Sequence, residues 1–376
     1  MMRLLFAFLL LTFARGLSFA QGNNIHPYHG INPLKIDYSE VDAFALSLHN
    51  DPEKNPEVLA KKLTERFESK HEKMRAIFRW ITDNIEYDTE VFCNKSQNAE
   101  NQSPETVLRT RKAVCSGYSN LFARMYHAAV DSAIVVVGYS QQYAHDLNRK
   151  HEETDHAWNI IRLYEHWYLL DVTWASGYVR GGCVSDERFK HMENISWFKQ
   201  YNDFWFLTPP EFFIFSHLPE NKNFQLLRLP ISMQEFKSIP IVSPNYFLNI
   251  SSHYIRNPKH HREVEYNSVF NINKLKRIIE KETFRKTSYL NYYEMVTHHG
   301  ILRAKAGTRM NFQIYAELPV GSVGLDFNEQ NSPQSVNFKK TPLGISFEYE
   351  FKDKNLTYLT VFLNGASAIT YLVLWQ

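Results

Sequence analysis

The chain has 376 residues, which at roughly 100–200 residues per domain leaves room for two or three domains, each able to bury a core. Apolar residues make up 44% and charged residues 22%, which excludes wholesale disorder and a collagen-like chain. Lys+Arg 42 against Asp+Glu 40 gives +2, so bulk charge does not draw the protein to nucleic acid or anionic lipid.

Residues 1–20 read as a secretory signal. Arg3 supplies the positive start, residues 4–13 form an apolar run, and Ser18-Phe19-Ala20 is a small-x-small cleavage site. The apolar run is about half of the ~20 residues a spanning helix needs, so a mature chain from near Gln21, without a membrane span, is expected outside the cytoplasm, secreted or periplasmic. From residues 38 to 67 short helical patterns alternate with polar breaks at Pro52 and Pro56. Met74, Ile77, Phe78, Ile81 and Ile85 then fall on one stripe of an amphipathic helix. Pro104 restarts a short helix through Leu108. From Cys115, the residues Tyr118, Leu121, Phe122, Met125 and Ala129 recur at helical spacing, which puts the cysteine at a helix N-terminus.

Residues 133–139 are a β-branched apolar run, hence a buried strand, and 156–163 with 166–173 form a hairpin turning at Tyr164-Glu165. Residues 185–236 are rich in aromatics and punctuated by Pro209, Pro210 and Pro219, which reads as a packed, irregular extension. Beyond 240–244, alternating runs at 310–318, 345–351, 356–363 and 369–374 predict an antiparallel sandwich. Residues 271–286 carry helical spacing.

Helix N-terminal N–H groups and the helix dipole favour a thiolate, so Cys115 is a candidate nucleophile. Pairing Leu163 with His166 sets His156 opposite Thr173, with Asp171 its diagonal neighbour on one face. The three types together suit attack on a carbonyl carbon: a thiol to attack, an imidazole to exchange the proton, and a carboxylate to orient the imidazolium. The backbone N–H of Cys115 is a candidate oxyanion donor, with Gly117 keeping the approach uncluttered.

Ala76-Ile77-Phe78-Arg79-Trp80-Ile81 with Asn84-Ile85-Glu86-Tyr87-Asp88, then Ala113-Val114-Cys115-Ser116-Gly117-Tyr118, Asp155-His156-Ala157-Trp158-Asn159, and Trp167-Tyr168-Leu169-Leu170-Asp171-Val172-Thr173-Trp174 stand in that order. Together they resemble the transglutaminase-like superfamily, and within it the kyphoscoliosis-peptidase-type branch. The resemblance implies an α+β, papain-like core in which Cys115 is the nucleophile, His156 the base and Asp171 the orienting acid. Tyr87 and Trp158 would line the cleft, and an immunoglobulin-like β-rich region would follow. The implied organisation is a signal peptide at 1–20, a transglutaminase-like catalytic domain with its aromatic-rich extension at 21–240, and a β-sandwich-like domain at 241–376.

His145, His151 and His156 stand six and five residues apart, a spacing that fits neither a helix face nor a common zinc pattern, so no metal or other cofactor is expected. Three cysteines permit one disulfide and one free thiol, and a Cys93–Cys183 bond would leave Cys115 free. Two functional classes stay open. One is an exported cysteine enzyme acting on amide bonds, as a peptidase or by transglutaminase-type acyl transfer. The other is a catalytically inactive scaffold that binds peptide or a cell-surface polymer.

Overall fold

In the computed structural model the first elements are α1 (Ser39–Ser47), α2 (Pro56–Thr64), α3 (Lys70–Asn84), β1 (Glu86–Tyr87), α4 (Thr89–Asn94), α5 (Pro104–Thr110), β2 (Lys112–Ala113) and α6 (Cys115–Ala129). The residues described are 36–143, 146–147, 150, 152–164, 166–183, 194–227, 230–250, 300–316, 319–341 and 344–376. The expected signal segment and the helical pattern at 271–286 lie outside them, as do His145 and His151. Among the described residues no helix is long and apolar enough to cross a membrane.

Side-chain caps set where these helices begin. Asn55 accepts the N–H groups of Glu57 and Val58 at the start of α2, Ser69 accepts Glu72 N–H at α3, and Ser103 accepts Thr106 N–H at α5. Each cap is worth about 1 kcal/mol. The stripe of α3 is buried as its spacing requires, with Met74, Ile77, Phe78 and Ile81 fully inside. Arg75 is inside as well. Its guanidinium grips both oxygens of Asp42 on α1, at 2.6 and 2.7 Å, and also Asp203 of the aromatic-rich segment. Two carboxylates around a single buried cation compensate its desolvation and clip three distant stretches together.

The sheet elements follow: β3 (Ala133–Ser140), β4 (His156–Leu163), β5 (His166–Leu170), α7 (Val172–Ser176), β6 (Gly177–Arg180), β7 (Ser196–Lys199), α8 (Pro210–Phe213), β8 (His217–Pro219) and α9 (Met233–Phe236). Strands β5, β4, β3 and β8 form an antiparallel sheet in that order, and α6 packs on β4 and β3. The hairpin register is the expected one, with Leu163 opposite His166 and Asn159 opposite Leu170. The expected strand to Thr173 is not formed, however. It stops at Leu170 because Asp171 Oδ1 accepts the N–H groups of Thr173 and Trp174, turning the chain into α7. His156 therefore has no partner in β5, while on its other side it pairs with Gly138 of β3.

The last elements are β9 (Ile241–Val242), α10 (Pro244–Ile250), β10 (Ile301–Ala304), β11 (Thr308–Tyr315), β12 (Val323–Phe327), β13 (Gln334–Ser335), β14 (Lys339–Thr341), β15 (Gly344–Phe351), β16 (Tyr358–Leu363) and β17 (Ala366–Trp375). One sheet runs β10-β17-β16-β12-β13, with β9 also on β17, and the other runs β11-β15-β14. Their inner faces meet through Phe312 with Tyr371 (5.6 Å between ring centres) and Phe327 with Tyr349 (5.6 Å). The sandwich is not wholly antiparallel. β10 joins β17 in parallel, a pairing invisible in the sequence because β10 has only four residues and too little alternation to read.

The aromatic-rich segment is packed, with Phe204, Trp205, Phe206, Phe212 and Phe213 all buried. Phe247 of α10 stacks on Phe204 and Phe212, at 5.4 and 4.4 Å, while β9 just before it pairs with β17. One continuous apolar core consequently extends from Tyr38 to Val373. Phe247→Ala should destabilise the protein by about 3–5 kcal/mol, because the aromatic cavity it leaves is walled by segments on both sides of the boundary. Chemical denaturation followed by tryptophan fluorescence will test this. A midpoint within error of wild type would show that the stack carries no load.

Candidate active site

Cys115 is the first residue of α6, reached from Val114 in extended backbone. No side chain caps this helix. Gly117 N–H and Tyr118 N–H bond back to Val114 O, and Val114 N–H is held at 2.9 Å by Gln102 Oε1. The turn that presents the thiol is thus fixed from behind, while the positive end of the helix lies beside the sulfur. Cys115 is partly exposed and is the free cysteine, since Cys93 is bonded to Cys183 across 90 residues. That bond joins α4 to the loop after β6.

His156 opens β4 and is almost wholly buried. Its Nε2 lies 2.7 Å from Asp171 Oδ2, which leaves Nδ1 as the ring nitrogen not committed to the carboxylate, and Cys115 is near enough to add to the ring's electrostatics. Burial alone would disfavour the imidazolium. The Asp171 charge and hydrogen bond, with the contact to Cys115, outweigh it and raise the ring's proton affinity well above an ordinary histidine's. Asp171 is fully buried. Desolvation opposes its charge, but His156 and His217 hold it ionised far below the usual carboxylate range.

The cleft residues expected beside the triad have different fates. The Tyr87 ring packs between Phe92 and Trp197 at 5.7 and 5.8 Å. Its hydroxyl stays protonated, because burial and then the nearby Cys115 push it up well above the ordinary tyrosine range. Trp158 is fully buried behind His156, at 6.0 Å between rings, so it backs the site and is not an exposed wall. Gly117 is also buried. A Cβ there would lie 2.3 Å from Gln102 Oε1 and 2.9 Å from Val107 and Ala113, so its bareness serves the packing that holds the Cys115 turn.

His217 is not among the residues the sequence points to, yet it meets the carboxylate of Asp171. From β8, 46 residues beyond Asp171, its Nε2 lies 3.0 Å from the same Oδ2 that His156 uses. Nothing in Ser216-His217-Leu218 signals this; the residue arrives only because β8 pairs with β3. Trp174 likewise covers the His156 ring at 5.1 Å and the His217 ring at 4.4 Å. The donor atoms of His156, Asp171 and His217 lie within 4.8 Å of one another, close enough to hold a cation. Both imidazoles already aim an Nε2 at one carboxylate oxygen, however, and its other oxygen caps α7, so each polar atom has a partner without an ion.

Residues 57–172 match the transglutaminase-like superfamily. This stretch is a transglutaminase-like domain. The chain is 38% identical over 181 residues to mouse kyphoscoliosis peptidase, covering 48% of this chain and 25% of that protein. It is 27% identical over 218 residues to hillarin of Drosophila melanogaster, covering 56% and 26%. The chain therefore spans about a quarter of the curated relatives it matches. Among solved structures, a putative cysteine protease from Cytophaga hutchinsonii is 22% identical over 38% of this chain and 45% of that one, with a TM-score of 0.26.

Burial brings the His217 proton affinity down to about 4, despite the opposing pull of Asp171. The unfolded chain takes up this proton near pH 6.5 and the native protein only near 4, so stability present above pH 6.5 drains away as pH falls through that window. The His156 and Asp171 contributions stay level there, one with a raised and the other with a depressed proton affinity. We expect a loss of about 3 kcal/mol between pH 6.5 and 4 from His217, absent in His217→Gln. Denaturant midpoints against pH will check it, and parallel curves for the two proteins would refute it.

Proposed function

We propose that the protein is an exported cysteine enzyme that acts on amide bonds of peptides or proteins through a thioester. The observation that carries this is the convergence of a free thiol, a buried imidazole and a buried, ionised carboxylate from α6, β4 and the β5–α7 junction. In the reaction Cys115 Sγ, its proton held on His156, attacks the carbonyl carbon and forms a C–S bond. The oxyanion collapses, the C–N bond breaks, and His156 returns the proton to the leaving amine. Water or a primary amine then attacks the thioester, giving its proton to His156, and the thiol leaves with that proton. Hydrolysis and acyl transfer share every residue named here, and the incoming nucleophile alone separates them.

Export is part of this proposal: a signal at residues 1–20 followed by a Cys93–Cys183 bond suits an oxidising compartment. So is the organisation into a catalytic domain at 21–240 and an immunoglobulin-like domain at 241–376, for which the two facing sheets are the support. The latter would present the catalytic domain to a protein or cell-surface polymer.

Iodoacetamide at mildly acidic pH should modify Cys115, and the labelled enzyme should release no amine from peptide substrates. His156→Ala should lower turnover about 10²–10⁴-fold in a folded protein. Asp171→Asn should lose about 10⁴-fold: an amide NH₂ facing two Nε2 atoms forces His156 into the tautomer that cannot accept the thiol proton. Peptide-release and amine-incorporation assays on the three proteins decide the matter. Turnover that survives in folded His156→Ala, or its absence in wild type with every peptide and amine tried, would leave a binding cleft without catalysis.

A further inference from the structure

His217 is completely buried and enclosed by rings, with Phe213 stacked at 4.1 Å, Trp174 at 4.4 Å, Trp158 at 5.0 Å and Trp205 at 5.2 Å. Within that apolar cage it makes two polar contacts. Nε2 meets Asp171 Oδ2 at 3.0 Å and Nδ1 meets Ser216 Oγ at 2.8 Å. The titratable groups that face it are Asp171, His156 and Asp155.

The proton positions follow from the acceptors. An ionised carboxylate can only accept, so the nitrogen facing Asp171 must carry hydrogen. A ring kept neutral by burial has one proton, which leaves Nδ1 as acceptor and obliges the Ser216 hydroxyl to donate to it. The alternative acceptor for that hydroxyl, Phe213 O, is farther away at 3.3 Å. The chain of bonds then runs from Ser216 Oγ–H to His217 Nδ1, and from His217 Nε2–H to Asp171 Oδ2. His156 Nε2–H reaches the same oxygen from the other side. With its Nε2 proton committed to Asp171, His156 has only Nδ1 left to exchange a proton with Cys115, the arrangement acid–base catalysis at the thiol requires.

We propose that His217 is a positioning residue of the active site, a second N–H donor that holds Asp171 Oδ2 in place and thereby fixes the ring and tautomer of His156 in front of Cys115. This rests on Cys115, His156 and Asp171 acting as the triad described above. A buried histidine kept only for packing would contact the rings equally well, but it would have no reason to spend its proton on the oxygen that orients the base. The neutral donor also disperses the carboxylate charge without adding a second cation beside the imidazolium.

The test compares the full chain with His217→Leu, which cannot donate, and His217→Gln, whose amide can. The readout is the rate of Cys115 alkylation by iodoacetamide from pH 4 to 10, alongside thermal midpoints. Leu should slow alkylation at pH 6 at least ten-fold, with a profile like that of a simple thiol, while Gln stays within about three-fold of wild type. A folded Leu variant with the wild-type profile overturns the proposal. Should the Leu variant not fold, imidazole ¹⁵N NMR of the unmodified protein decides it. His217 must be neutral with its proton on Nε2 between pH 5 and 8, and a charged ring or an Nδ1–H tautomer is the overturning result. If wild-type Cys115 itself alkylates like a free thiol, the triad reading has failed, and the NMR result still reports separately on the His217–Asp171 bond.

Discussion

The Asp171 carboxylate is the constraint on which the site depends. Oδ1 accepts the N–H groups of Thr173 and Trp174 and so ends β5 and begins α7. Oδ2 takes one N–H from His156 and one from His217. A fully buried charge survives only when its lone pairs are all spoken for, and four donors do that here. One side chain thus terminates a strand, starts a helix and aligns an imidazole, so the placement of that ring is inseparable from the folding of the hairpin that carries it.

The rest of the domain supports that point from several directions. Arg75 draws α1 and the aromatic-rich segment onto α3, and Asp171 N–H in turn bonds to Trp205 O in that segment. Phe247 extends the same packing to the strands that follow. The sandwich is therefore continuous with the core behind the site and not tethered by a bare linker.

Much of this was legible in the sequence, for identifiable physical reasons. The stripe of α3 and the helix after Cys115 have strong 3.6-residue periodicity, and the hairpin has a two-residue turn between apolar strands, so both elements and the register could be read. The end of β5 could not, because Val172, Thr173 and Trp174 all favour strand and only the Asp171 side chain overrules them. Gly117 looked like an opening toward substrate and is instead a packing requirement set by Gln102, a contact between residues with no shared period. His217 was illegible for the deeper reason that a three-residue strand has no pattern, and its meaning lies wholly in where β8 is laid.

The two kinds of sulfur in this protein make opposite demands on their surroundings. Cys93 and Cys183 are useful joined, tying α4, which follows Tyr87, to the loop that leaves β6. Cys115, partly exposed at the start of α6, can serve the proposed thioester chemistry only unjoined. A strong reductant added to keep the Cys115 thiol free would also cut the Cys93–Cys183 strap, and a strongly oxidising medium would preserve the strap while threatening that thiol. Only a band of redox potential bounded on both sides keeps both sulfur states at once, and the width of that band is set by how much harder the Cys93–Cys183 bond is to reduce than Cys115 is to oxidise.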